Sequence, residues 1–202
     1  MQEPDYFNTI ETTGVAEYKD RGSKFIALAY PIKSVAEFKT ILADVKKEHP
    51  KASHYCFAYR LGASMNDFRA SDDGEPSGTA GKPILGQIDS KSVTNILIIV
   101  VRYFGGTLLG VPGLISAYKS AASMVLQVIP LVRKPISVTY HLQFDYTQMN
   151  EVMMLIKNTG CEILKQELQL FCTMDVAVPK NCEEEVMMKL KDMRNVEVSR
   201  LV

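Results

Sequence analysis

Three stretches in the first half of the chain concentrate side chains that can do chemistry. They are His54-Tyr55-Cys56-Phe57-Ala58-Tyr59-Arg60, the run from Asp72 through Asp73, Gly74, Glu75, Ser77, Gly78 and Thr79 to Pro83, and Val101-Arg102-Tyr103-Phe104-Gly105-Gly106 continuing to Gly110. The second sets three carboxylates within four residues and follows them with small residues whose backbone can approach a ligand. Paired carboxylates suit a hard cation such as Mg²⁺, or general acid–base work. The same letters also make a conformationally fixed turn, in which the acids are solvated or cap neighbouring N–H groups. Gly81-Lys82 invites comparison with a P-loop, but Pro76 stands where that motif needs its first glycine and Pro83 where it needs Ser or Thr. Nucleotide hydrolysis by that route is not expected.

The third stretch runs from a strand through a glycine-rich turn into a helix start, which gathers free N–H groups and a positive dipole end at one point. Arg102 can add a bidentate donor for phosphate or carboxylate. The glycines fall at 105, 106, 110 and 113, so the dinucleotide-binding spacing is missing and no cofactor is expected. Tight helix–strand packing that only glycine allows is the alternative reading of these glycines. His54 and Cys56, two apart on a strand, share a face, yet no second ligand pair at zinc spacing follows and no metal site is assigned. Cys56 is read as structural. His54 beside Tyr55, Tyr59 and Arg60 can stack on bases, or the aromatics can serve the core.

The elements around these stretches follow from periodicity. Two β-leaning runs, Gly14–Lys19 and Lys24–Pro31, are joined across Asp20-Arg21-Gly22. Ser34 and Glu37 form a capping box ahead of a helix whose apolar face is Val35, Phe38, Ile41, Leu42 and Val45. His54 to Leu61 reads as a strand, and Ala63 to Asp89 as mainly loop, long enough to be functional or disordered. Thr94 to Phe104 is a strand buried on both faces, and the helix after it, with Pro112 in its first turn, buries Ile115, Tyr118, Ala122, Val125, Leu126 and Ile129. Pro130 to Pro135 reads as a linker. Beyond it come a strand from Val138 to Tyr146, a helix capped by Thr147 and closed by Gly160, strands at Glu162–Gln169 and Phe171–Pro179, a helix started by Asn181 and Glu184, and a strand at Val196–Leu201. The order β-α-β-β-α-β is the split βαβ, ferredoxin-like arrangement. Two domains are therefore expected, at 1–132 and 136–202, in an α+β protein.

Composition narrows the class. The chain has 202 residues, 47% of them hydrophobic, and a formal net charge of +0. Through Lys134 it carries 16 Lys+Arg against 13 Asp+Glu, or +3; the remainder carries 7 against 10, or −3. That asymmetry allows an anion-binding face on the first half. The acidic N-terminus does not read as a signal peptide, and the longest aliphatic run, Ile96 to Val101, is too short to span a bilayer. Four scattered cysteines read as free cytosolic thiols. A cytoplasmic protein without membrane attachment is expected.

The three stretches, with Ser23-Lys24-Phe25-Ile26-Ala27 before them, closely resemble the signature of the IMPACT family, in its bacterial YigZ branch. Both the Asp-Asp-Gly-Glu-Pro-x-Gly-Thr-Ala-Gly-x-Pro and the Val-Arg-Tyr-Phe-Gly-Gly-x-x-Leu-Gly strings are intact, and the likeness covers roughly Tyr18 to Pro130. The resemblance implies a first domain like domain 2 of ribosomal protein S5, a sheet with two helices packed on it. It implies a second domain like the last domain of the elongation factor G family. Eukaryotic relatives regulate translation through the activator of an initiation-factor kinase and carry an additional RWD domain, which this chain is expected to lack. What carries over is a translation-related role: a non-catalytic regulator binding RNA, the ribosome or a translation factor. The alternative is an enzyme acting on a phosphorylated or carboxylate small molecule through the Asp-Asp-Gly-Glu-Pro loop. The candidate ligand- or anion-binding residues are Lys24, His54, Arg60, Asp72, Asp73, Glu75, Ser77, Gly78, Thr79, Arg102, Tyr103, Gly105 and Gly106.

Overall fold

A computed structural model describes residues 5–201; of the acidic N-terminal stretch Met-Gln-Glu-Pro-Asp, all but Asp5 lies outside the described residues. The chain divides into two compact units, one of residues 7–134 and one of residues 135–201 joined by Asp5 and Tyr6.

The first unit is built on a five-stranded antiparallel sheet, in the order β2 (Gly14–Asp20), β3 (Ser23–Pro31), β6 (Ile96–Tyr103), β4 (His54–Leu61), β5 (Asp67–Ser71). β6 is central, and helices cover both of its faces, which is why it reads as an unbroken apolar run rather than an alternation. Ile96, Ile98 and Val100 point with Phe25, Ala27, Cys56 and Ala58 into one core. Leu97, Ile99 and Val101 point with Leu28, Phe57 and Tyr59 into the other, against Phe38 and Val45 of α1 (Val35–Glu48). Ser34 caps α1 by accepting from the Glu37 N–H at 3.2 Å. The Glu37 carboxylate reaches one residue further back than a capping box requires and takes the Lys33 N–H at 2.8 Å.

The stretch from Ala63 to Asp89 is not a loop. It holds β5, paired with β4, and α2 (Gly81–Ser90), which buries Ile84 and Ile88 one turn apart. Both were hidden for physical reasons. β5 is a largely exposed edge strand with no apolar alternation, and α2 carries Gly81, Pro83 and Gly86 in ten residues, so its stability comes from packing rather than propensity. Pro130–Pro135 is likewise not a free linker: Leu131–Pro135 is β7 and pairs with β1 (Tyr6–Ile10), a partner so distant in sequence that no local pattern announces it. On α3 (Gly110–Val128) the buried stripe runs through Leu114, Tyr118, Ala121, Ala122, Val125 and Leu126; Ile115 is exposed.

The second unit follows the β-α-β-β-α-β order. β8 (Ser137–Asp145), α4 (Met149–Thr159), β9 (Glu162–Glu167), β10 (Phe171–Pro179), α5 (Glu183–Asp192) and β11 (Val196–Arg200) give an antiparallel sheet ordered β11-β8-β10-β9. Val138, Leu142, Phe144, Met174 and Val176 pack with Val152, Leu155, Val186 and Leu190 of the helices. Short 3-10 turns precede both helices and displace the expected caps. Asp145, not Thr147, is the acceptor, taking the Thr147 N–H at 2.8 Å. Asn181 lies in the turn before α5 and donates instead to the Tyr6 hydroxyl at 3.3 Å. Gly160 does close α4, at φ +67°. Among the described residues, no helix is long and apolar enough to cross a membrane.

Gly86 sits exposed inside α2, and a Cβ there meets nothing within 4 Å. Gly86→Ala is expected to stabilise the first unit by about 0.5–1 kcal/mol, because glycine loses more backbone entropy in a helix. Urea denaturation reads this as a raised midpoint at unchanged slope.

Candidate functional site: a buried arginine and the turns that enclose it

Arg102 lies one residue from the end of β6, across from Phe25 on β3 and His54 on β4, and is only 5% exposed. A buried guanidinium cannot shed its proton, so the fold must supply a counter-charge and acceptors. Glu75 supplies the charge, with Oε1 2.6 Å from Arg102 Nη1. Ser23 Oγ accepts from Nη2 at 3.5 Å, and the rings of Phe25 and Phe104 each lie 5.5 Å from the guanidinium carbon. Tyr118 of α3 donates to the same Glu75 oxygen at 2.7 Å. The single Cys56 S–H lies between two acceptors, the Asp72 carbonyl at 3.0 Å and Tyr118 Oη at 3.3 Å. Burial pushes both the Cys56 thiol and the Tyr118 phenol far above their ordinary range, so both stay protonated donors.

The Asp72–Glu75 turn is held by its own carboxylates. Asp72 accepts from the backbone N–H groups of Gly78 at 2.9 Å, Ala80 at 3.0 Å and Gly81 at 2.9 Å. Ala80 and Gly81 open α2, so Asp72 caps that helix from eight residues upstream and places an anion at its positive end. Burial works to raise the Asp72 pKa, but the three N–H bonds outweigh it and hold the carboxyl below its ordinary value. Asp73, at φ +42°, takes the Tyr55 N–H at 2.7 Å and has Lys46 Nζ 3.9 Å away. His54 Nδ1 sits 2.9 Å from the Asp73 carbonyl and therefore carries the proton, leaving Nε2 3.8 Å from Glu75. Thr79 is buried and donates to the Pro76 carbonyl at 2.7 Å.

The glycine turn closes the far side. Gly105 donates to Ser23 Oγ at 3.2 Å, and a Cβ there would lie 1.9 Å from the Gly22 carbonyl carbon. Only glycine lets this turn touch the β2–β3 hairpin, which favours the packing reading of the motif at that position. Gly106, at φ +84°, faces open space.

The geometry thus brings together His54, Asp72, Asp73, Glu75, Gly78, Thr79, Arg102 and Gly105. It leaves other candidates outside. Lys24 lies on the hairpin, its Nζ 2.7 Å from Glu17. Tyr103 faces the other side of the sheet, its hydroxyl 2.8 Å from His49 Nδ1. Ser77 is exposed in the turn. Arg60 is six residues along β4 from His54, roughly 20 Å at strand rise, where it pairs with Asp89 and the Met65 carbonyl and lies over Phe68. Sequence reasoning did not identify Ser23 or Tyr118 as members of the network. A tyrosine at a buried helical position, whose hydroxyl must find a partner, was the available signal. Among the described residues, no three or more His, Cys, Asp or Glu side chains cluster as a metal site would require.

Two outcomes follow for stability. Glu75→Gln keeps the shape but strands a buried cation, and is expected to cost about 3–5 kcal/mol in urea denaturation; Arg102→Met together with Glu75→Gln should cost less than Glu75→Gln alone. For Asp72 the folded-state pKa lies below the unfolded one, so its contribution is complete above the ordinary value of 3.8 and disappears as pH falls through the folded value. Acid titration of Asp72→Asn should therefore show a shallower loss of stability below about pH 4 than the parent chain shows.

Comparison with known proteins bears on this region first. Residues 21–126 match the family model described as the Impact N-terminal domain, which spans every residue of the network. The chain is 37% identical to IMPACT family member YigZ of Escherichia coli, over 84% of each chain. It is 35% identical to IMPACT family member YvyE of Bacillus subtilis, over 73% of this chain and 67% of that one. A crystal structure of a hypothetical protein, 31% identical, superposes with a TM-score of 0.76 over 98% of both chains. Family model and bacterial relatives agree: the chain belongs to the IMPACT family.

Proposed function

We propose that this protein is a non-catalytic regulator of translation that binds RNA, free or within the ribosome, through the surface of its first unit. The observation that carries the reading is that the motif carboxylates already have internal partners. Asp72 is filled by three amides and Glu75 by Arg102 and Tyr118, so neither is set up to hold a metal or to move a substrate proton. The motif reads as a brace for a binding surface.

Charge supports an anionic partner. Residues 7–134 carry 16 Lys+Arg against 11 Asp+Glu, a net of +5, sharper than the division by halves suggested. Arg21, Lys46 and Lys82 are exposed, Lys24 partly so, and Phe104 and Leu108 of the glycine turn are 48% and 82% exposed. We read the two units as ribosomal S5 domain 2-like and ferredoxin-like, with the first differing from the expected two-helix layer in having helices on both sheet faces. A cytoplasmic location accords with a translation role. The enzymatic alternative, a phosphorylated or carboxylate substrate at the Asp-Asp-Gly-Glu-Pro loop, would have to displace these internal bonds. Arg102, a sequence-level candidate for anion contact, is neutralised by Glu75 and is a poor probe of the surface.

Co-sedimentation with ribosomes and binding to ribosomal RNA at graded salt test the proposal. Affinity is expected to fall steeply with salt, and each phosphate contact removed by Lys24→Ala or Lys46→Ala should lower the slope of log K against log salt by about 0.7–0.9. No association at low salt would refute it. Saturable thermal stabilisation by Mg²⁺ with a nucleotide or sugar phosphate would favour the enzyme.

A further inference from the structure

The second unit contains a pair of thiols that neither the family signature nor the proposed binding surface uses. Cys161 follows Gly160 at the end of α4, and Cys182 is the residue from which α5 starts. They flank Thr159 from two sides: its hydroxyl lies 3.1 Å from Cys161 Sγ, and its carbonyl accepts from Cys182 Sγ at 3.5 Å. Both sulfurs thus pack against the same residue, where the end of α4 meets the start of α5. Both are half-buried at the edge of the second core, whereas Cys56 and Cys172 are fully buried.

We propose that Cys161 and Cys182 form a redox modification site, closing reversibly to an intrachain disulfide in response to a peroxide-class oxidant. One thiol, as its thiolate, attacks a peroxide oxygen; the O–O bond breaks, water leaves and a sulfenic acid remains. The second thiol attacks that sulfur, the S–O bond breaks, and a second water departs. Two thiols and one peroxide thus give one disulfide and two waters. The bond ties the end of α4 to the start of α5, the two helices that cover one face of the second sheet.

The local chemistry sets the pace. Burial holds both thiols above their ordinary range, and Glu185 adds to this at Cys182. Neither is a fast scavenger of the peroxidase kind. Closure depends on proximity: once one sulfur is oxidised, its resolving partner is held against the same threonine.

The test uses the full chain, reduced and desalted, then exposed to hydrogen peroxide or, separately, to the thiol-specific oxidant diamide. Alkylation under denaturing conditions, trypsin digestion and mass spectrometry follow. Residues 158–165 and 181–189 form two tryptic peptides, each with one of the two cysteines. The expected result is a linked pair lighter by two hydrogens than the sum of its parts, restored by dithiothreitol, with Cys56 and Cys172 alkylated. Cys161→Ser or Cys182→Ser should abolish the link and leave the remaining thiol alkylated or over-oxidised. Failure of both oxidants to link these peptides, or a preference for links to Cys56, Cys172 or a second chain, would overturn the proposal.

Discussion

A guanidinium at the end of the central strand has to be neutralised without water, and much of the first unit is arranged around that demand. A guanidinium is a permanent cation, and an unpaired buried cation costs several kcal/mol. Glu75 answers it, but Glu75 sits in a turn with no regular structure to hold it. The turn is fixed instead by Asp72, whose carboxylate is bonded to the Gly78 amide and to two amides at the start of α2, and by Asp73, bonded to the first residues of β4. Tyr118 links the pair to α3, and Ser23 links it to both the hairpin and the glycine turn. One ion pair therefore ties together β3, β4, β6, α2 and α3.

This arrangement changes what the family signature means chemically. Three acids in four residues and an arginine before two glycines look like a reaction centre when read as letters. In the fold they are donors and acceptors for one another. Cys56 and Tyr118, raised out of the titrating range by burial, act as neutral hydrogen-bond donors rather than as nucleophile or acid. On the proposed reading, binding falls to what the brace presents outward: exposed lysines around the hairpin and α1, and the exposed Phe104 and Leu108 of the glycine turn.

How much of this was legible depended on range. β4, β10 and the Ser34 cap of α1 are local events, and periodicity or a four-residue pattern finds them. The β-α-β-β-α-β order of the second unit was equally readable, because each element carries its own apolar face. What escaped were features decided by distant partners. α2 is a helix because Ile84 and Ile88 reach the core and Asp72 caps it from upstream, despite two glycines and a proline. β1 and β7 pair with each other although about 120 residues separate them in the chain. The convergence of His54, Glu75 and Arg102 could be suspected from their motifs, but Arg60 was grouped with them by sequence nearness alone, and the strand carries it away. Ser23 and Tyr118 gave no pattern beyond being polar groups at positions that must be buried.

The central claim is that the Asp72–Glu75 turn is a rigid internal brace rather than a mobile reaction loop. Native-state hydrogen exchange at the Gly78, Ala80 and Gly81 amides, those bonded to the Asp72 carboxylate, tests it most directly. The account predicts that all three exchange only through global unfolding of the first unit, with the same free energy as the β6 amides. Exchange of these amides through local opening, while β6 remains protected, would contradict it.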